Sequence, residues 1–168
     1  MITTAFVKIW GETIGAVAWD ENSGTASFEY EPKFIAQSID LAPLKMPINN
    51  ATNRIFSFPE LRNTKTFKGL PGLLADVLPD DYGNQLINTW LAQNGRPENS
   101  MNPVEMLCFI GTRGMGALEF EPSQLRVNKR AFDIEVDELI QMSQKMLTKR
   151  DAFETNLAMD EQQAMLDI

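Results

Sequence analysis

Three short β-prone runs separated by turn chemistry, AFVKIW (5–10), IGAVAW (14–19) and TASFEY (25–30), constrain this chain more than any other feature. The connections GET and DENSG carry the Gly, Asn, Asp and Ser residues that tight reversals need, so consecutive strands should run antiparallel. The expectation is a β-meander, whose aromatic content and short loops suit a sheet with one covered face.

Residues 31 to 66 resist a regular reading, because Pro32, Pro43 and Pro47 interrupt any long helix or central strand. A helical turn is expected near Phe34 and an extended edge segment near Leu44 to Met46, with NATNRIFSFPELRNTKTFKG irregular. Beyond it, GLPGLLADVL reads as a short apolar helical piece. DDYGNQLINTWLAQNG reads as a helix opened by Asp80 or Asp81 and stopped by Gly95. Its spacing places Tyr82, Leu86, Ile87, Trp90 and Leu91 on one face. A further helix is expected over Pro103 to Ile110, with Asn102 as its cap and Pro103 in the first turn, where a missing N–H costs nothing. GALEFEP then alternates as a strand. Two more helices are expected over Glu135 to Leu147 and Leu157 to Ile168, the second ending on apolar Met165, Leu166 and Ile168. An apolar run that stops without polar sequence reads as a chain cut at a boundary, or else as a terminal helix docked on the core.

The glycines of IGTRGMGALEF (110–120) invite a phosphate-loop reading. Such loops aim backbone N–H groups and a helix N-terminus at the anion, so the glycines should follow a strand and precede a helix. Here they follow a helix and precede a strand, without a Lys-Ser or Lys-Thr pair. The expectation is structural: Gly111 ends the helix in a left-handed conformation, while Gly114 and Gly116 ease the chain into the strand. Arg113 is expected to meet a carboxylate or helix-end carbonyls.

Composition removes several chemistries. The chain has 168 residues, 43% of them hydrophobic, enough for a real core. It contains no histidine, so His-based triads, His acid/base catalysis and the usual zinc sites are excluded. A net charge of −8 and a pI near 4.6 oppose a nucleic-acid groove. The basic stretch Arg126 to Arg130 lacks interleaved aromatics and reads as a solvated loop. The lone Cys108, between Leu107 and Phe109, reads as a small buried hydrophobe. Asp76, Asp80 and Asp81 are better explained as caps and helix-dipole complements than as a metal or acid/base cluster. Met142 and Met146 read as core packing. No serine or threonine sits in a nucleophile motif. No run approaches membrane-spanning length and no signal peptide is evident, so a cytoplasmic location without membrane contact is the default. No catalytic, cofactor-binding or metal-binding residue is assigned.

Taken together, GLLADVLPDDYGNQLI (72–87), NPVEMLCFIG (102–111), GTRGMGALEFEP (111–122) and the opening VKIWGETIGAVAWD resemble the N-terminal region of HipA-like serine/threonine kinases, the toxin components of bacterial toxin–antitoxin pairs. Leu78-Pro79-Asp80 and Arg113-Gly114-Met115-Gly116-Ala117-Leu118 are its most specific pieces. The resemblance implies an α+β fold, a small antiparallel β-meander packed with several helices. It divides the chain into a HipA-like N-terminal α/β subdomain (1–122) and a helical extension (123–168) leading toward a phosphate loop and kinase lobe that this sequence lacks. In such a family ATP and magnesium sit between the N-terminal part and the kinase lobe, and a small helix-turn-helix antitoxin docks on the kinase. No residue here matches the family's catalytic or metal-binding aspartates. The resemblance therefore implies a non-catalytic scaffold or regulatory domain, partnered by a kinase lobe in cis or in trans. A companion protein restraining a separately encoded kinase is the alternative. A free-standing module binding a small molecule or peptide between the meander and the 82–91 helix is a third.

Overall fold

A computed structural model describes residues 1–114 and 116–123. The expected helices over 135–147 and 157–168, the 126–130 basic stretch and the Met142/Met146 pair lie outside the described residues. The chain forms two compact units, Met1–Asp80 with Asn99–Asn128, and Asp81–Glu98 with Lys129–Ile168.

The first unit is built on a five-stranded antiparallel sheet of order β4-β3-β2-β1-β5. The meander supplies β1 (Thr4–Ile9), β2 (Glu12–Asp20) and β3 (Thr25–Tyr30), as the turn spacing requires. β4 (Ile55–Ser57) pairs with β3, and β5 (Leu118–Pro122) returns from far along the chain to pair with β1. Four α-helices, α1 (Pro32–Ile35), α2 (Gly72–Ala75), α3 (Asp81–Gln93) and α4 (Pro103–Ile110), and two short 3-10 turns, Ile48–Asn50 and Pro59–Leu61, complete the described residues. The fold is α+β.

Register sorts the sheet into two faces. One row runs Phe120, Val7, Gly15, Tyr30, and another Ala5, Val17, Phe28, Phe56; all eight are buried. The opposite face carries Glu121, Phe6, Ala16, Glu29 and Ile55 in register, a mixture of charge and partly exposed apolar surface. On that face Lys8 forms an ion pair with Glu121 across β1 and β5.

Strict alternation breaks once, where Val7 pairs with Gly15 but Lys8 with Thr13, leaving Ile14 as an extra residue on β2. Ile14 and Gly15 are therefore both buried, and the Ile14 carbonyl accepts from the Glu31 N–H at 2.9 Å. Gly15 is required by close approach. A Cβ there would lie 2.3 Å from the Glu29 carbonyl oxygen and 2.6 Å from Phe28 Cζ.

Around Tyr30 the core is aromatic. Its ring stacks on Phe34 and meets Phe28 and Phe56 edge-on, and its hydroxyl donates to the Met46 carbonyl at 3.1 Å. Burial, aided by the charge of Asp40, pushes the Tyr30 pKa up to about 12.

α4 lies against β1, β2 and β5. Between its first and last residues every side chain is buried, including Glu105 at 5% exposure, so it is a core helix without a solvent face. Asn102 caps it as expected, accepting from the Glu105 N–H at 2.8 Å.

In the second unit, α3 ends in the Schellman arrangement foreseen at Gly95. Gly95, at φ +70°, donates to Ala92, and Arg96 donates to Leu91 at 2.8 Å.

Three local expectations need correction. Leu44 to Met46 is a turn closed by Met46 N–H to the Ala42 carbonyl, not an extended edge, because Pro43 and Pro47 leave little room for a strand. The sheet's edge is instead Ile55–Ser57, within the stretch expected to be irregular. Tyr82 is 42% exposed and stands off the buried face formed by Ile87, Trp90 and Leu91.

Candidate functional site

The glycine loop after α4 is a structural connection. Gly111 has the positive φ expected, 60°, but its ψ of −117° lies outside the left-handed helical region. This is the geometry of the first central position of a type II′ turn, and the Arg113 N–H closes the turn on the Ile110 carbonyl at 3.1 Å. Gly114 is tight for another reason, since a Cβ would stand 2.6 Å from Val77 Cγ1. The Gly111 carbonyl accepts from Phe120 at 3.2 Å, and Pro122 carries no N–H. Together these blunt the outer edge of β5.

These residues do not fit ATP with magnesium. α4 presents its C-terminal, negative end to the glycines, which repels rather than attracts phosphate. Among the described residues no group of three His, Cys, Asp or Glu side chains is arranged to hold a metal ion. Of the aspartates singled out from sequence, Asp76 caps the C-terminal end of α2 rather than a helix start, and Asp81 opens α3. Arg113 is exposed on the loop. Cys108 is buried, and burial, reinforced by the nearby Glu105 charge, pushes its thiol up to about 12, so it is a poor nucleophile.

Two surfaces stand out instead. The first is the tip of the β1–β2 hairpin, where Ile9 pairs with Glu12 and the loop is only Trp10 and Gly11, at φ 50° and 80°. Positive φ at both positions defines a type I′ turn, in which Asn-Gly is the usual pair. A tryptophan there is conformationally costly, and this one is 84% exposed. The sequence pattern placed Trp10 at the end of a β run, and its exposure appears only once the turn is built.

The second is a cleft of about 600 Å³ between the β2–β3 turn and the loop 62–68. Asp20 organises its near side: the Asn22 N–H donates to Oδ1 at 3.0 Å and the Gly24 N–H to the carbonyl at 2.9 Å. Hydrogen bonding from Ser23 and Asn22 holds the Asp20 carboxyl below its ordinary pKa. On the far side, Gly69 donates to Leu61 at 3.0 Å and its carbonyl accepts from Ala26 at 2.8 Å. A Cβ on Gly69 would stand 2.5 Å from the Gly24 carbonyl oxygen, so the two loops touch backbone to backbone.

The architecture is thus that of an α+β domain on a sheet with one buried and one partly open face, whose distinctive chemistry lies on loops and turns. The HipA N-terminal domain family matches it over residues 5–121, from β1 through β5, and the chain belongs to that family. No curated protein matches it. Among the described residues no helix is long and apolar enough to cross a membrane.

Proposed function

We propose that this domain is the N-terminal scaffold of a HipA-like, ATP-dependent serine/threonine protein kinase of a bacterial toxin–antitoxin pair, acting in the cytoplasm and carrying no catalytic group of its own. The observation that carries this reading is the family match over 5–121, which takes in every strand of the sheet. ATP and magnesium belong to the kinase lobe in this reading, and residues 123–168 form the extension toward it. A helix-turn-helix antitoxin would dock on the kinase.

The exposed Trp10 tip supports a role in contact with that lobe, whether joined in cis or met in trans. Rigid aromatic side chains dominate protein interfaces because they bury much area while losing little conformational freedom. The test is to mix this domain with a separately produced HipA-like kinase lobe and measure both binding and phosphoryl transfer to a serine peptide. Binding without transfer by the domain alone is expected. Transfer by the domain alone, or no binding to the lobe, would refute the proposal.

A further inference from the structure

We infer that the open face of the sheet is a docking surface for a basic, amphipathic helix of a partner protein. Beside the row Glu121, Phe6, Ala16, Glu29 and Ile55 runs a second one, Thr4, Ala18, Ser27 and Ser57, each paired with the next across β1, β2, β3 and β4. All four are small and at least partly exposed. They form a low shelf, bounded on one side by the taller Phe6, Glu29 and Ile55. Three inter-strand spacings span it, about 14 Å, which accommodates one helix about 10 Å across.

The residues of this face suit a covered surface. A solvated sheet face ordinarily carries polar, β-favouring side chains in alternation with the buried ones. Here the central strand β2 turns out both Ala16 and Ala18, where threonine would favour the strand more, while Phe6 is 38% and Ile55 64% exposed. Small residues beneath a helix permit close backbone approach, and an exposed aromatic beside them supplies an anchor.

Charge selects the partner. The one cation among the strand residues of this face, Lys8, is engaged by Glu121. Glu29 and Glu119 have no ionic partner among the described residues. Arg54, beside β4, turns its guanidinium to the other face, 4.9 Å from the Phe56 ring centroid. In a chain of net charge −8, such a face repels anionic lipid and nucleic acid alike. It attracts lysines or arginines that flank the apolar stripe of a helix.

The probe is a fluorescein-labelled helical peptide with leucines along one face and lysines along the other, titrated into the intact protein and followed by anisotropy and amide chemical shifts. Saturable binding that weakens with salt is expected, with shifts centred on Phe6, Ala16, Ala18 and Ser27. The same peptide with glutamate in place of lysine should not bind. Phe6→Thr and Glu29→Lys should each weaken binding about tenfold or more. Ala18→Lys, at an exposed position, raises a long cation from the shelf and should do the same at an unchanged melting temperature, which keeps a readout should Phe6→Thr fold poorly. No saturable binding, shifts centred elsewhere, equal binding of the glutamate peptide or indifference to Ala18→Lys would overturn the inference. So would light scattering that shows the face closed by a second copy in a dimer that Ala18→Lys dissociates, or tighter binding to phosphatidylglycerol vesicles than to the peptide.

Discussion

Asn102 Nδ2 donates to the carbonyl of Ile2 at 2.9 Å, fastening the start of α4 to the chain's first residues across a separation of 100 positions. The same side chain's Oδ1 caps the helix through Glu105 N–H. One amide thus serves a local and a long-range function. Asn102→Ala should lose both, costing about 2 kcal/mol when a typical cap and one further hydrogen bond are combined. Asn102→Asp keeps the cap but sets a carboxylate against the Ile2 carbonyl, so it should not restore wild-type stability. Urea denaturation of both variants checks this, and equal stability of Asp and Asn would show that the Ile2 tie contributes nothing.

Two glycines should respond differently to alanine. At Gly15 the added methyl meets backbone and an aromatic ring, so Gly15→Ala should cost about 3 kcal/mol through overpacking. At Gly95 there is open space but φ is +70°, so Gly95→Ala should cost about 1 kcal/mol from backbone strain alone. Thermal melts that reverse this order would contradict the assignment of the two causes.

Stability should fall in alkali. Burial raises Cys108 from 9.0, and Tyr30 from 10.0, to about 12 each. Above pH 9 the unfolded chain therefore sheds protons that the folded one keeps, and the slope of stability against pH turns negative. The contribution is fully present below pH 9 and is lost as pH rises toward 12. Cys108→Ala should delay the onset to near pH 10, where Tyr30 alone acts. Urea midpoints measured across pH 8 to 11 decide it; an onset that stays put would rule out the thiol as its source.

Trp10→Asn should separate fold from function. Asparagine adopts the positive φ of a type I′ turn more readily, so the variant should be more stable by about 0.5 kcal/mol. Loss of the exposed indole should weaken binding to the kinase lobe by about thirtyfold or more, as for an interface anchor. Unchanged affinity would remove Trp10 from the interface.

Much of the fold was legible because it rests on local chemistry. The turn residues between the first three strands, Asn102 before Pro103 and Gly95 after α3 act within a few positions of themselves, and each behaves in the structure as its type demands. Histidine's absence and the reversed order of the 111–116 glycines likewise limit the chemistry without any coordinates. The candidate cleft was not legible. Its lysines lie in a stretch that reads as irregular, and long-range contacts, the close Gly24–Gly69 approach and the Arg62 bond to the Ser23 carbonyl among them, bring that stretch against the β2–β3 turn.

The sequence by itself determined the meander, the caps at Asn102 and Gly95 and the α+β class, since these follow from backbone preferences and short-range hydrogen bonds. Tertiary structure alone decided that β5 joins β1 and that Ile55–Ser57 becomes the other edge. It also decided that Trp10 stands in solvent while Glu105 is buried, because pairing partners and burial are fixed by residues tens of positions apart, whose meeting no local pattern encodes.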